Sequence, residues 1–264
     1  MALFLPRGHQ RPSALTGRIV GHAQARNLVH WWPVLSNQVF TSAAANPSAV
    51  SDVLRGRDAA NAWDVVPLTS SSLPGKLLYS DASADAQTGL MFTPDAAKFK
   101  GVSAGGAGAT FNVWVKLNLA TPVTNQLTGA WTIQAPSIVP YPDTHYPWTD
   151  GTMYAATLRH DRLNFPLLSG VDRSEWHMVT VTHTGVTWRC YQNAQIVHTD
   201  ATGDGHVYVE GCSGGKGSIH GSSLGGYTLN GYSCDYRLYN RALTLGEIQA
   251  LYDPVTRWSL YYGV

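Results

Sequence analysis

Residues 110–119 read TFNVWVKLNL, with Phe111, Val113 and Val115 alternating with Asn112, Trp114 and Lys116. A period of two marks a β-strand, and this one is expected to bury one face. Residues 176–181 (WHMVTV), 206–209 (HVYV) and 233–239 (SCDYRLY) repeat the signature. The run WRCYQN at 188–193, followed by Ile196-Val197, reads as a hairpin turning near Asn193-Ala194. Residues 211–226 are rich in Gly and Ser and read as a loop, with a short strand near 218–224. One segment reads as helix. Thr244 is a good N-cap and Glu247 completes a capping box. Leu245, Ile248 and Leu251 then share a face before Asp253-Pro254 stops the run. Strands do not alternate with helices, so a doubly wound parallel sheet is not expected.

Composition narrows the picture. The 264 residues are 44% hydrophobic and only 13% charged, with 26 Gly, 13 Tyr and 9 Trp. That excludes a disordered chain and a coiled coil. A net charge of +1 offers no basic stripe for nucleic acid. No apolar run approaches the roughly 18 residues of a membrane span. Residues 1–5 are apolar, but Pro6, Arg7 and Gly8 interrupt them at once, so no secretory signal is expected. Cys190, Cys212 and Cys234 form no metal-type spacing. Three buried thiols are the ordinary reading, and a Cys212–Cys234 bridge is the alternative.

From residue 176 onwards the residues carry a family likeness. Trp176-His177, Trp188-Arg189-Cys190-Tyr191-Gln192-Asn193, Gly225-Gly226 and the run from Tyr236 through Tyr239, Asn240 and Arg241 to Thr244 stand in order. Glu247-Ile248 and Ala250-Leu251-Tyr252 complete the series. This pattern resembles the LamG-like, concanavalin A-like jelly-roll superfamily. Residues 28–33 (LVHWWP) look like that family's opening strand, and 89–92 and 111–116 like two later ones. The resemblance implies an all-β fold, an antiparallel two-sheet jelly-roll sandwich with one short C-terminal helix. Its domain would span 28–253, between an N-terminal arm at 1–27 and a C-terminal tail at 254–264. The chain departs from the family at Asn193-Ala194, where the family has Asn-Gly. Alanine there disfavours a tight I′ turn. In the motif Arg241 is expected to bond backbone or a nearby carboxylate, with Tyr239 and Tyr252 between helix and sheet. These are fold residues and carry no catalysis.

Candidate chemistry is sparse. A glucanase needs two carboxyls about 5–10 Å apart. This chain has three Glu, at 175, 210 and 247, none with an acidic residue two positions away. Residues 183–188 (HTGVTW) are similar to a sialidase Asp box, but His183 stands in the Asp position and the hairpin accounts for the same residues. The chain is therefore expected not to be an enzyme. Residues 137–150 (SIVPYPDTHYPWTD) read as an irregular loop. Such loops often carry binding residues, though a packed Ω-loop would look the same. Tyr141, Tyr146, Trp148 and Tyr154 are the candidates for stacking on sugar rings. Asp143 and Asp150, with Asp200 and Asp204, lie in expected loops where calcium would suit them. No cofactor is required.

The opening MALFLPRGHQRP and the ending LYDPVTRWSLYYGV resemble LamG-like proteins encoded by tailed bacteriophages. That resemblance implies a non-enzymatic virion structural protein, made in the host cytoplasm, with capsid decoration as the first role. Its partners would be the major capsid or tail proteins and copies of itself, with no nucleic acid and no membrane. The ends either pack on their own domain or are held by neighbouring copies. The alternatives are a tail or fibre component, or a lectin-like module for host-surface glycans.

Overall fold

The structure is a computed structural model. It describes residues 23–32, 60–63, 66–69, 76–80, 89–92, 108–117, 131–134, 143–145, 153–156, 162–165, 168–184, 187–200, 211–214 and 231–262. These form fifteen strands: β1 (Leu28–Trp32), β2 (Ala60–Trp63), β3 (Val66–Thr69), β4 (Lys76–Ser80), β5 (Gly89–Phe92), β6 (Ala109–Leu117), β7 (Trp131–Gln134), β8 (Asp143–His145), β9 (Met153–Ala156), β10 (Arg162–Phe165), β11 (His177–His183), β12 (Trp188–Gln192), β13 (Gln195–Asp200), β14 (Gly211–Gly214) and β15 (Gly231–Tyr239). Helix α1 (Leu245–Tyr252) and the single turn α2 (Ser259–Tyr262) follow, and a 3₁₀ turn (Ala23–Ala25) precedes β1.

All pairings are antiparallel, and the chain is the all-β jelly roll that the sequence leads one to expect. The large sheet runs β13-β12-β11-β6-β15-β4-β3, with β1 also paired to β15. A four-stranded sheet runs β2-β5-β14-β7, and a three-stranded one β10-β9-β8.

Strand β6 corrects the expectation of one buried face. Phe111, Val113 and Val115 are buried, but so are Thr110, Asn112 and Trp114. The second face is covered by the C-terminal segment. Thr110 Oγ1 donates to the Arg241 carbonyl (2.7 Å) and accepts from the Leu243 N–H (2.8 Å). Trp114 stacks on Tyr252 at 5.9 Å between centroids and meets Trp258 at 5.3 Å. Asn112 Nδ2 donates to Thr180 Oγ1 on β11 (2.7 Å), so the amide donor is bonded where it is buried.

The helix forms as its cap dictates. Thr244 and Glu247 make the reciprocal capping box, and Asp253 ends the helix. Ile248 and Leu251 are buried, but Leu245 is 48% exposed. Steps of three residues drift round a 3.6-residue helix, so 245 and 251 stand on different flanks.

The β12–β13 turn is a second correction. Asn193 (φ 50°) and Ala194 (φ 61°) are both left-handed, as a I′ turn demands. Asn193 makes this tolerable by acting as an extra rung. Its N–H donates to the Met178 carbonyl, and its Oδ1 accepts the Met178 N–H, each at 2.9 Å. The loops expected at 137–150 and 211–226 also hold strands, β8 and β14. Asp143 thus begins a strand, and Asp200 ends one, rather than lying in loops. Pro142 and Pro147 flank β8, which suits its place at a sheet edge. Residues 206–209 and 218–224 lie outside the described residues.

Candidate functional site

Two places merit examination as sites. The first lies where the 3₁₀ turn, β15 and α1 meet. β15 carries a bulge between Cys234 and Arg237, and Asp235 there takes a left-handed φ of 57°. Its carboxylate accepts from Trp31 Nε1 (2.8 Å) and pairs with Arg237 (3.0 Å), both side chains being 1% exposed. Arg237 lies 5.8 Å over the Trp31 ring and donates to Gln24 Oε1 (2.9 Å) and the Arg257 carbonyl (3.2 Å). Gln24 in turn donates to the carbonyls of Ala250 (3.2 Å) and Thr256 (2.7 Å), while its own carbonyl accepts from the Tyr239 hydroxyl (3.0 Å). Burial raises the Tyr239 pKa. Further out, Arg241 holds Glu247 with both ends of its fork, at 2.7 and 2.6 Å. That bond brings the Glu247 pKa down to about 2.

The cleft between these groups holds about 80 Å³. That is room for two or three waters, well short of the roughly 300 Å³ of a small-molecule pocket. The polar groups on its wall are bonded to one another. This centre is structural, and Glu247 caps α1 through Thr244. Residues 23–27 and 254–260 therefore pack on their own domain, with Trp258 and Leu260 buried. Trp31, Asp235 and Gln24 escaped the sequence reading. The one available signal was an Asp and an Arg two positions apart inside an apolar strand.

His177, at the start of β11, is buried, with Nδ1 2.8 Å from the Glu175 carbonyl. Desolvation lowers its pKa to about 4. Trp176 is half-buried and Tyr191 is buried on β12. Burial pushes the Cys190 thiol far above its usual range, so it stays protonated; Cys234 is also buried. The segment resembling an Asp box is a hairpin, with Thr184 and Thr187 bonded to each other across the turn. No trio of His, Cys, Asp or Glu forms a metal-type group among the described residues. No helix there is long and apolar enough to cross a membrane.

The second place is the β8-β9-β10 sheet. Tyr141, Tyr146, Trp148 and Asp150 lie outside the described residues, but Asp143 and Tyr154 lie on this sheet. Asp143 pairs with Ala156 and His145 with Tyr154. Arg162 pairs with Ala156 and Asn164 with Tyr154. Directly opposed residues share a face. One face thus carries two rows, Asp143–Ala156–Arg162 and His145–Tyr154–Asn164. The other carries Thr144, Ala155 and Leu163, with Met153 opposite Phe165. The first face is polar but for Tyr154 and Ala156, and the second is apolar but for Thr144. Sequence reading named Asp143 and Tyr154, noted His145 only as a neighbour of Asp143, and missed Arg162 and Asn164, because only the register joins them.

A family model described as the concanavalin A-like lectin/glucanases superfamily matches residues 92–249, more than half of the chain. The chain belongs to the concanavalin A-like lectin/glucanases superfamily. No curated protein matches this superfamily member in sequence. Among solved structures, it is similar to a Trypanosoma rangeli sialidase in complex with a difluoro-KDN compound, with a TM-score of 0.58 and 13% identity, over 91% of this chain and 36% of that one. It is similar to the binding domain of Paraclostridial Mosquitocidal Protein 1, with a TM-score of 0.60 and 12% identity, over 87% of this chain and 52% of that one. It is also similar to a botulinum neurotoxin type C structure whose title ties cell entry to two ganglioside molecules, with a TM-score of 0.53 and 13% identity, over 76% and 49%. The chain spans about a third to a half of these neighbours. At such identities the likeness concerns the fold.

Proposed function

We propose that this chain is a non-enzymatic, lectin-like module that binds glycans. The observation that carries the reading is the β8-β9-β10 register, which gathers Asp143, His145, Tyr154, Arg162 and Asn164 on one face. An aromatic residue among hydrogen-bonding groups is what a sugar ring needs: area for its apolar face and partners for its hydroxyls. Family membership and neighbours whose titles name a sugar-like compound and gangliosides support the same reading. Asp143 and Asp150 would take calcium if the module needs it. The test is binding of the whole chain to a glycan array, with and without calcium, beside Tyr154→Ala. Retention lost in the variant is expected. Absence of binding to every glycan would overturn the reading, and turnover of a bound glycan would overturn its non-enzymatic part.

The second reading is a structural protein displayed on a phage virion, as capsid decoration or as a tail or fibre component. Its support is the resemblance of the two ends to phage-encoded relatives, with Arg7, Arg11 and Arg18 forming a basic stretch suited to a partner surface. Quantitative mass spectrometry of purified particles tests it. Hundreds of copies would support decoration and a few dozen a tail role, whereas none would end the virion reading.

A further inference from the structure

Three arginines stand near the end of the chain, and two of them meet a carboxylate. Arg237 pairs with Asp235, and Arg241 with Glu247. Arg257 pairs with no carboxylate among the described residues. Its place is nevertheless fixed. Its N–H donates to the Asp253 carbonyl (2.8 Å), and its own carbonyl accepts from Arg237 Nη2 (3.2 Å). Its guanidinium carbon lies 5.4 Å from the centre of the Trp114 ring and 6.0 Å from that of Tyr252, two rings within 11° of parallel. Nε is buried and has no hydrogen-bond partner among the described residues. Burial works against the charge, while Tyr252 and Asp253 favour it. Asp253 does not pair with it. Asp253 Oδ1 instead accepts from the N–H groups of Val255 (2.7 Å) and Thr256 (3.3 Å) and so holds the turn.

Aromatic rings satisfy the face of a guanidinium and leave its in-plane donors unused. A buried charged donor without an acceptor is costly, and an arriving anion removes that cost. We infer that the turn at 252–257 is a docking surface for a protein segment that presents a carboxylate beside an apolar side chain. This goes beyond the glycan reading and does not depend on it. Charge selects the carboxylate. Asp253 stands nearby, and it repels a phosphate dianion twice as strongly as a carboxylate. The apolar contact is Val255, two residues before Arg257. It is 75% exposed, the most of any large apolar side chain among the described residues. Half-buried Tyr252 stands on the same turn. An arginine and a tyrosine beside an exposed apolar side chain are the residues that carry binding energy where proteins meet. The turn is also held by Thr256 Oγ1, which donates to the Ala250 carbonyl (2.7 Å). Its backbone is therefore fixed before docking, and little order is lost.

The test is an NMR titration of the full, isotope-labelled chain, observing arginine Nε–H signals. A buried Nε–H exchanges slowly with water, and Arg257→Lys identifies the signal by removing it. The probes are the blocked tripeptides Leu-Asp-Leu and Leu-Asn-Leu, with acetate and inorganic phosphate as free anions. Leu-Asp-Leu is expected to shift the Arg257 signal and to bind about ten-fold more tightly than Leu-Asn-Leu or acetate. Arg257→Lys keeps the charge and loses the fork, so it should remove the preference for Asp. Val255→Ser should weaken Leu-Asp-Leu several-fold and leave acetate unchanged. Melting curves show that each variant folds. Val255 is exposed, so its variant tests the surface even if Arg257→Lys fails to fold. No shift with any probe, equal binding of the Asp and Asn peptides, or a preference that survives Arg257→Lys overturns the inference. So does phosphate binding more tightly than the peptide. Acetate binding as tightly as Leu-Asp-Leu overturns the protein partner and makes a free organic acid the occupant.

Discussion

Two arginines near the end of the chain hold carboxylates in opposite ways. Arg237 meets Asp235 with both side chains 1% exposed, while Arg241 grips Glu247 at the rim, where they are 16% and 36% exposed. The rim pair has the better geometry, two short parallel bonds, yet it has the smaller effect on stability. Water screens it and already solvates its charges. The inner pair has lost its water, so each bond around it is obligatory. Trp31, Gln24 and the Arg257 carbonyl complete its shell, and those bonds bring together three distant stretches of chain. The inner pair therefore specifies where the N-terminal turn and the C-terminal tail must lie, whereas the rim pair secures a helix end.

The sharpest way to break this contrast is Asp235→Ala. It strands a buried guanidinium and the Trp31 N–H, and a loss of about 3–5 kcal/mol is expected in urea unfolding. A loss below about 1 kcal/mol would mean that the pair is solvated like the rim pair. Acid titration sharpens the contrast next, through a third buried ionisable group. His177 has its folded pKa lowered to about 4 against an ordinary 6.5. Above pH 7 it is neutral in both states and contributes nothing. As pH falls from 6.5 toward 4, only the unfolded chain takes up the proton, so stability falls, by about 3 kcal/mol in all. Melting temperature followed from pH 8 to 4 should show this decline, and His177→Gln should flatten it. Gln24→Ala is expected to cost about 2 kcal/mol, because it leaves buried partners of Arg237 and the tail unsatisfied. An unchanged denaturation midpoint would mean that water replaces Gln24 freely. The smallest effect belongs to Glu247→Gln, which keeps the capping box and removes the charge. Under about 1 kcal/mol is expected, less in high salt. Glu247 has a folded pKa near 2, so its share is present above pH 4.5 and is lost as pH falls toward 2. That window lies mostly below the one belonging to His177, and extending the titration from pH 4 to pH 2 separates the two.

Local rules made part of this legible in the sequence. The Thr244–Glu247 box, the Asn193 turn and the alternation of β6 each depend on neighbours a few residues apart. What escaped depends on distant partners. Nothing near Trp114 announces that Tyr252 and Trp258 will cover its face. Nothing near Asp235 announces Trp31. The β8 strand is hidden by the prolines on either side of it, and β14 by its glycines. Ala194 adopts a backbone that its own preference opposes, because Asn193 is held by Met178 on another strand. Half of the proposed binding face was missed for the same reason, since Arg162 and Asn164 join Tyr154 only through register.

The position of β15 has a consequence for how the molecule comes into being. This strand lies at the heart of the large sheet, bonded to β6 and β4 and partnered by β1, yet it is made of residues 231–239. On the ribosome, β1, β4 and β6 emerge long before the strand that joins them. Until it arrives they present bare edges and apolar faces, a state prone to wrong pairing. Closure over such long sequence separations is also intrinsically slow. Yield from a cell should therefore depend on synthesis temperature and on chaperone supply more than the stability of the finished sandwich would suggest.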